Sequence, residues 1–371
     1  MGTSFHVRFL FIALGLLVGV YWSFSSVEAE SAASTYPNHQ FLVTATQLQE
    51  RMKSEPLVIV DVRTDEYYDG KMIPGAIRMP WTLFRRDNSA INMGGRFVGC
   101  VEAQKILGRH GIFRNDTIIL YDSVARDGGA TASYVFWVLD MLGHEQKAIL
   151  ERGIDAWRDS DGEIANGPVE REPLLYQAPA DEIDIRRLTD EAFIYSRLGD
   201  PYYQVLDVRS PAEYRGESLN TGLDGSPLKA GHIPGAYNID YETNWIDNKT
   251  LAIKDYTALA EMYRGLDPGK AVIVYCHSAR RSSFSYFILR LMGFEDVIVY
   301  ENSWYGWGSP ERYYPVETQP HELPGQSLPK ITKTAGSTGS TDTGSSSPEP
   351  KNAAEKESAA PAKKDYISCG G

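Results

Sequence analysis

Cysteine is scarce in this chain: Cys100, Cys276 and Cys369 are the only three thiols in 371 residues. They are too few and too scattered for a disulfide scaffold or a zinc site, and none belongs to a Cys-x-x-Cys pair. Neither a metal nor any other cofactor is expected. Positive charge is also short. With 37 Lys and Arg against 49 Asp and Glu, the net charge is -12, and no basic stripe offsets it, which argues against nucleic acid as a partner. Long apolar runs are missing as well. The run from Phe9 to Trp22 falls short of the roughly 20 residues a membrane-spanning helix needs. It follows His6 and Arg8 and precedes Ser-rich residues and Val27-Glu28-Ala29, the pattern of a secretory signal over residues 1–29. The expected location is periplasmic or otherwise extracytoplasmic, with no stable membrane association after cleavage. A working thiol exported there needs shelter from idle oxidation.

What is present points to two domains, since 371 residues exceed one typical domain and a 42% hydrophobic content fills two cores. The most informative stretch is Cys276-His277-Ser278-Ala279-Arg280-Arg281-Ser282-Ser283. Before it, Ala271-Val272-Ile273-Val274-Tyr275 is a β-branched run suited to a buried parallel strand. After it, residues 284–292 place apolar side chains at helical spacing and stop at Gly293. Cys276 therefore sits where a strand ends and a helix begins, on the sheet edge where ligands bind. Backbone amides from His277 through Ser278, Ala279 and on to Ser282 can form an anion nest, aided by the helix dipole. With Arg280 and Arg281 beside it, the thiol is expected to have a depressed pKa and to act as a nucleophile.

The loop, together with Asp207-Val208-Arg209 and Gly231-His232-Ile233-Pro234-Gly235-Ala236, resembles a rhodanese-type thiosulfate sulfurtransferase. The first half repeats the pattern, so the likeness spans roughly residues 40–318. It implies an α/β fold of two doubly wound rhodanese-like domains, each with a central parallel sheet flanked by helices. The first domain is placed at 40–161, a Pro-containing linker at 162–183, and the second domain at 184–318. Residues 319–371, rich in Gly, Ser, Thr, Pro, Ala and Lys, read as a flexible low-complexity tail.

Aligning the two central strands puts Tyr121-Asp122 on Tyr275-Cys276. Gly143 and Trp157 lie 21 and 35 residues after Asp122, whereas Gly293 and Trp307 lie 17 and 31 after Cys276. The first repeat thus carries four extra residues just after its strand, around 124–129, and Asp in place of the nucleophile. It is expected to be non-catalytic. Cys100 reads as structural, near a helix start.

The resemblance implies sulfane sulfur transfer from thiosulfate through a Cys276 persulfide to cyanide or a thiol, and possible exchange with a periplasmic sulfur-relay protein. Arg281, Arg280 and His277 are the candidates to hold the anion. Relatives that use mercaptopyruvate carry an uncharged Gly-rich loop, and this loop is charged. Arg209, Asp207 and His232 read as structural. Glu213 stands where some eukaryotic members have a substrate-binding Arg, which gives the loop arginines more weight. Cysteine phosphatases and arsenate reductases space Cys and Arg one residue further apart, as C-x5-R, whereas here the sixth position is Ser282. A non-catalytic sulfur-binding or redox-sensing module is the other alternative. The ending Cys369-Gly370-Gly371 resembles the Cys-Gly-Gly arm of periplasmic sulfur-oxidation carrier proteins, so Cys369 is a candidate swinging arm.

Overall fold

The computed structural model describes residues 36–325 and Gly2. Apart from Gly2, the expected signal sequence at 1–29 lies outside the described residues, and so does Cys369 with the arm expected to bear it. Among the described residues, no helix is long and apolar enough to cross a membrane.

The described chain folds as two copies of one plan. In the first copy, strands β1 (Leu42–Val43), β2 (Leu57–Asp61), β3 (Ile77–Arg78), β4 (Thr117–Tyr121) and β5 (Lys147–Leu150) form a parallel sheet. Its order is β1-β5-β4-β2-β3. The second copy repeats that order with β6 (Leu188–Thr189), β7 (Tyr203–Asp207), β8 (Tyr237–Asn238), β9 (Ala271–Tyr275) and β10 (Val297–Tyr300), again all parallel. Helices α1 (Ala45–Arg51), α2 (Cys100–Arg109), α3 (Ala130–Met141) and α4 (Gly153–Asp159) flank the first sheet. The second is flanked by α5 (Glu191–Ser196), α6 (Pro211–Tyr214), α7 (Tyr256–Tyr263), α8 (Arg280–Leu291) and α9 (Ser303–Trp307). Every residue of β9 is buried, as its uninterrupted apolar run requires in a strand covered on both faces.

An ion pair welds the end of β2 and of β7 in the same way. Arg209 Nη2 lies 2.6 Å from Asp207 Oδ2, with both side chains inaccessible. Arg209 also donates to Gly231 O at 2.7 Å and lies 4.1 Å over the Trp304 ring. Tyr275 donates to Asp207 at 2.6 Å and accepts from the Ile233 amide at 3.1 Å. Asp207, Arg209 and Tyr275 thus tie the strand, the turn at 231–235 and α9 together. In the first repeat, Arg63 pairs with Asp61 at 2.6 Å and donates to Lys71 O at 2.6 Å.

The two copies meet through α3 and α8. All of α3 and all of α8 except Arg290 are buried, and Phe136 meets Phe287 edge to face at 5.1 Å. Near the end of α3, Asp140 accepts a hydrogen bond from Tyr286 and faces Lys147 at 2.8 Å, Arg290 at 3.1 Å and Arg187 at 3.6 Å. Burial works to raise the Asp140 pKa, but these cations outweigh it and hold the carboxyl well below the usual carboxylate range.

The chain is anchored further at both ends than the sequence reading placed it. The Asn38 amide donates to Leu291 O at 3.1 Å, joining the start of the first repeat to the second. The linker is partly structured. Ala165–Asn166 pair with Lys71–Met72, Leu174 N donates to Gly108 O at 2.9 Å, and Tyr176 and Ala178 are buried. Residues 319–325 belong to the second domain rather than to a tail, since His321 bridges to Tyr237 and Leu323 enters the core. Apolar Leu323 recruits this stretch despite its Pro-rich surroundings.

The difference between the repeats lies where the spacing placed it. Asp122 and Cys276 each follow the central strand, but α3 starts eight residues after Asp122 and α8 starts four after Cys276. Asp122 turns back onto the first turn of α3, accepting from Thr131 Oγ1 at 2.8 Å and Ala132 N at 3.0 Å. Its other oxygen, Oδ1, is buried without a partner. Burial pushes this carboxyl up to about 6 from an ordinary 3.8.

An acid whose pKa is higher in the folded state stabilises the fold when protonated. The stability it gives is therefore present below about pH 4 and lost as pH rises through about 6. Asp122→Asn keeps an acceptor for Thr131 and Ala132, so urea midpoints of variant minus wild type should climb across this window and level off above it. For Asp140→Asn the expectation is a loss of about 3–5 kcal/mol near pH 7, because three cations lose their buried counter-charge. The same denaturation series measures it, and the deficit should shrink as pH falls below about 4.

Candidate active site

Strand β9 delivers Cys276 to a four-residue loop that α8 closes. The residue is 1% exposed. Ala279, just before the helix, takes φ 67°, a left-handed conformation unusual for a side chain with a Cβ. The matching step in the first repeat is made by Gly129, at φ 101°. Backbone strain of roughly 1–3 kcal/mol is thereby held at the loop.

Five hydrogen bonds keep the loop in that shape. Ser303 Oγ accepts from the amides of Cys276 and Ala279, each at 3.2 Å, and donates to Tyr300 O at 2.8 Å. Trp304 N donates to Cys276 O at 3.0 Å, and Tyr305 N to His277 O at 3.1 Å. From the first domain, Arg85 donates to Ser278 O and to Gly95 O, both at 2.6 Å, with its guanidinium 4.8 Å over Trp81. The first repeat therefore grips the Cys276 loop directly.

The predicted anion-holding residues are brought together, with differing partners. His277 is buried, its Nε2 2.8 Å from Thr221 O and its ring 4.2 Å from that of Tyr305. It supports the segment at 216–229. Ser282 donates its hydroxyl to Ala279 O at 3.1 Å. Arg280 and Arg281 are both buried at the first turn of α8. Arg281 makes a two-pronged pair with Glu213, at 2.7 and 2.8 Å. Glu213 also closes the capping box of α6 with Ser210 and accepts from Asn220 at 2.6 Å. Burial alone would raise the Glu213 carboxyl, but the Arg281 charge prevails and holds it well below the usual range. The charge of Arg281 is thus matched by a carboxylate.

Glu213, Ser303 and Arg85 were not assigned these roles from the sequence. Ser303 was findable: with Trp157 set on Trp307, Ser303 falls on Gly153, and a hydroxyl replacing glycine beside the key loop is a signal. Glu213 was seen only as a departure from relatives. Arg85 carries no sequence signal, because its partner lies 193 residues away.

The first amides of an α-helix lack intrahelical acceptors and carry partial positive charge. Here that helix end adjoins a buried thiol and two arginines, although Ser303 already occupies the Ala279 amide. The arrangement suits a thiol nucleophile that meets a small anion.

Known proteins place this geometry in a family. The Rhodanese-like domain family matches residues 44–160 and again 192–310. A protein of Corynebacterium glutamicum named thiosulfate sulfurtransferase is 28% identical, over 77% of this chain and 93% of its own length. A putative thiosulfate sulfurtransferase of Haloferax volcanii is 32% identical, over 71% and 90% respectively. The wild-type structure of EanB shares the fold at 22% identity and a TM-score of 0.64, across 76% of this chain and 69% of that one. Two matched domains in one parallel-sheet plan, with Cys276 just after the central strand of the second, make the chain a tandem-domain member of the rhodanese family.

Proposed function

We propose that the protein is a thiosulfate sulfurtransferase whose nucleophile is Cys276. The observation that carries this reading is the placement of the thiol between a buried central strand and the first turn of α8, the end of a helix that attracts anions. The Cys276 thiolate attacks the outer sulfur of thiosulfate. The sulfur–sulfur bond breaks and sulfite leaves with the electron pair, so that Cys276 becomes a persulfide. An acceptor thiolate or cyanide then attacks the outer sulfur, which restores the Cys276 thiolate and yields a new persulfide or thiocyanate. The amides of the loop and the first helical turn stabilise the transferred sulfur.

The arginines divide the labour. Arg281, fixed by Glu213, secures the start of α8 against α6, and Arg280 supplies the charge that draws the sulfonate end of thiosulfate. Export by residues 1–29 puts the reaction in an extracytoplasmic compartment. Cys369, followed only by Gly370 and Gly371 in the sequence, receives the sulfur and passes it to a relay protein.

Thiosulfate and cyanide should give thiocyanate and sulfite with wild type, and intact mass after thiosulfate alone should show added sulfur. Cys276→Ser should abolish both at unchanged stability. Retention of more than a few per cent of the rate would remove Cys276 from its role. Persulfide mapping by peptide mass tests the arm: sulfur on Cys369 in wild type and none there in Cys276→Ser. Persistence of full turnover after removal of residues 365–371, with Cys369 unmodified, would exclude it.

Arg280→Ala should lower kcat/KM for thiosulfate roughly ten- to hundredfold, corresponding to about 1.5–3 kcal/mol for a hydrogen bond to a charged group. The loss should be far smaller with an uncharged persulfide donor. Arg281→Ala should instead impair both donors alike and lower the unfolding midpoint, because it strands Glu213. A thiosulfate-selective effect at Arg281 would reverse the assignment.

A further inference from the structure

Away from the catalytic loop, a second group of side chains converges on the turn at 231–235. Ligand atoms of His232, Glu317 and His321 all lie within 4.8 Å of one another. Glu317 and His321 lie four residues apart, and backbone pairing brings them to His232 from a distant part of the sequence. His232 N donates to Glu317 O at 2.8 Å and Glu317 N to His232 O at 3.0 Å. At Gly231 the two backbones come so close that a Cβ would stand 2.2 Å from Glu317 O, so only glycine fits.

His232 is the telling member. It is fully buried, and its ring stacks on Tyr214 at 3.7 Å. Its Nδ1 lies 2.7 Å from Tyr214 O. A carbonyl can only accept, so Nδ1 carries the proton and Nε2 keeps the lone pair. That Nε2 is buried and has no hydrogen-bond partner. A buried acceptor left unsatisfied costs about 1–3 kcal/mol, and the core around it supplies no donor. A neutral imidazole with one nitrogen bonded to a backbone carbonyl and the other bare is how metal-ligating histidines are held.

The other two side chains complete the set. The His321 ring stands perpendicular to that of His232, centroids 5.9 Å apart, and its Nε2 lies 2.7 Å from Glu317 Oε2. The His321 backbone is fixed by its amide, which donates to the Tyr214 hydroxyl at 3.0 Å. Glu317 Oε2 also accepts from Gly235 N at 3.0 Å. Hydrogen bonding between Glu317 and His321 accounts for those two residues without a ligand, but it leaves His232 Nε2 bare.

We propose that His232, Glu317 and His321 form a binding site for a zinc-like divalent transition-metal ion, which clamps the segment at 317–321 onto the second domain. Two imidazoles and one carboxylate suit borderline metals such as Zn²⁺ or Co²⁺ rather than Mg²⁺ or Ca²⁺. Zinc sits about 2.0–2.2 Å from such donors, so the three atoms must draw inward. Glu317 and His321, at 42% and 40% side-chain exposure, can rotate to do so while His232 stays fixed. Their exposure gives the ion a way in and leaves a fourth position to water. The scarcity of cysteine bears only on thiolate sites, and this set contains none.

The test is titration of the untagged full-length protein with ZnCl₂ by calorimetry and with CoCl₂ by visible absorption. Wild type should bind one ion tightly at this site, with the intense visible bands of a four-coordinate Co²⁺ and no thiolate charge-transfer band. His321→Ala and Glu317→Gln, both on the surface and so expected to fold, should each weaken binding by about tenfold or more. Zinc should raise the wild-type melting temperature more than that of either variant. Absence of binding by wild type at about 100 µM metal, or equal affinity in wild type and both variants, would overturn the site. A thiolate band, with affinity lost only in Cys369→Ala, would assign the metal elsewhere and overturn it too.

Discussion

The packing of α3 against α8 is the constraint on which the remainder of the structure depends. Each helix leaves the end of a central strand, and each is buried on nearly every side because the other covers it. A single repeat would expose the Phe136 or Phe287 face, and burying a Phe side chain is worth about 1.5–3 kcal/mol. The charges at the seam follow the same logic. Lys147 on β5 and Arg290 on α8 both converge on Asp140, so the cluster is complete only when the repeats are joined. Since the Cys276 loop leads directly into α8, that loop lies beside the seam, where Arg85 of the first repeat reaches Ser278.

Within this shared frame the two repeats have diverged at a few atoms. The loop of the first repeat is relaxed, with Gly129 at its left-handed step and Gly153 beside it. The second repeat places Ala279 and Ser303 at those positions. The strained alanine is kept by the surrounding contacts, above all by the two amides that Ser303 accepts. The loop of the second repeat is thereby held fixed around Cys276, while its counterpart folds its own carboxylate into a helix start.

Much of this was legible in the sequence. The β-branched strand before Cys276, the four-residue difference in spacing and the Asp-Val-Arg pairs are local patterns, and local patterns survive translation into structure. Even the offset loop could be located from Gly and Trp landmarks alone. What escaped was set by long-range geometry. The bond from Arg85 to Ser278 and the pair between Glu213 and Arg281 join residues 193 and 68 positions apart. The boundary at 319 failed because composition outweighed a single leucine. His232 was read as structural, and the position of its bare nitrogen is decided by a tautomer that no sequence displays.

The near-total burial of Cys276 also governs which reactions are denied to it. A disulfide needs two sulfur atoms about 2.05 Å apart along a defined torsion, and a sulfur enclosed by its loop cannot offer that approach to a thiol on a rigid protein surface. Oxidation of cysteine follows exposure as well as thiolate character. At 1% exposure, Cys276 is therefore shielded from both fates by its own loop.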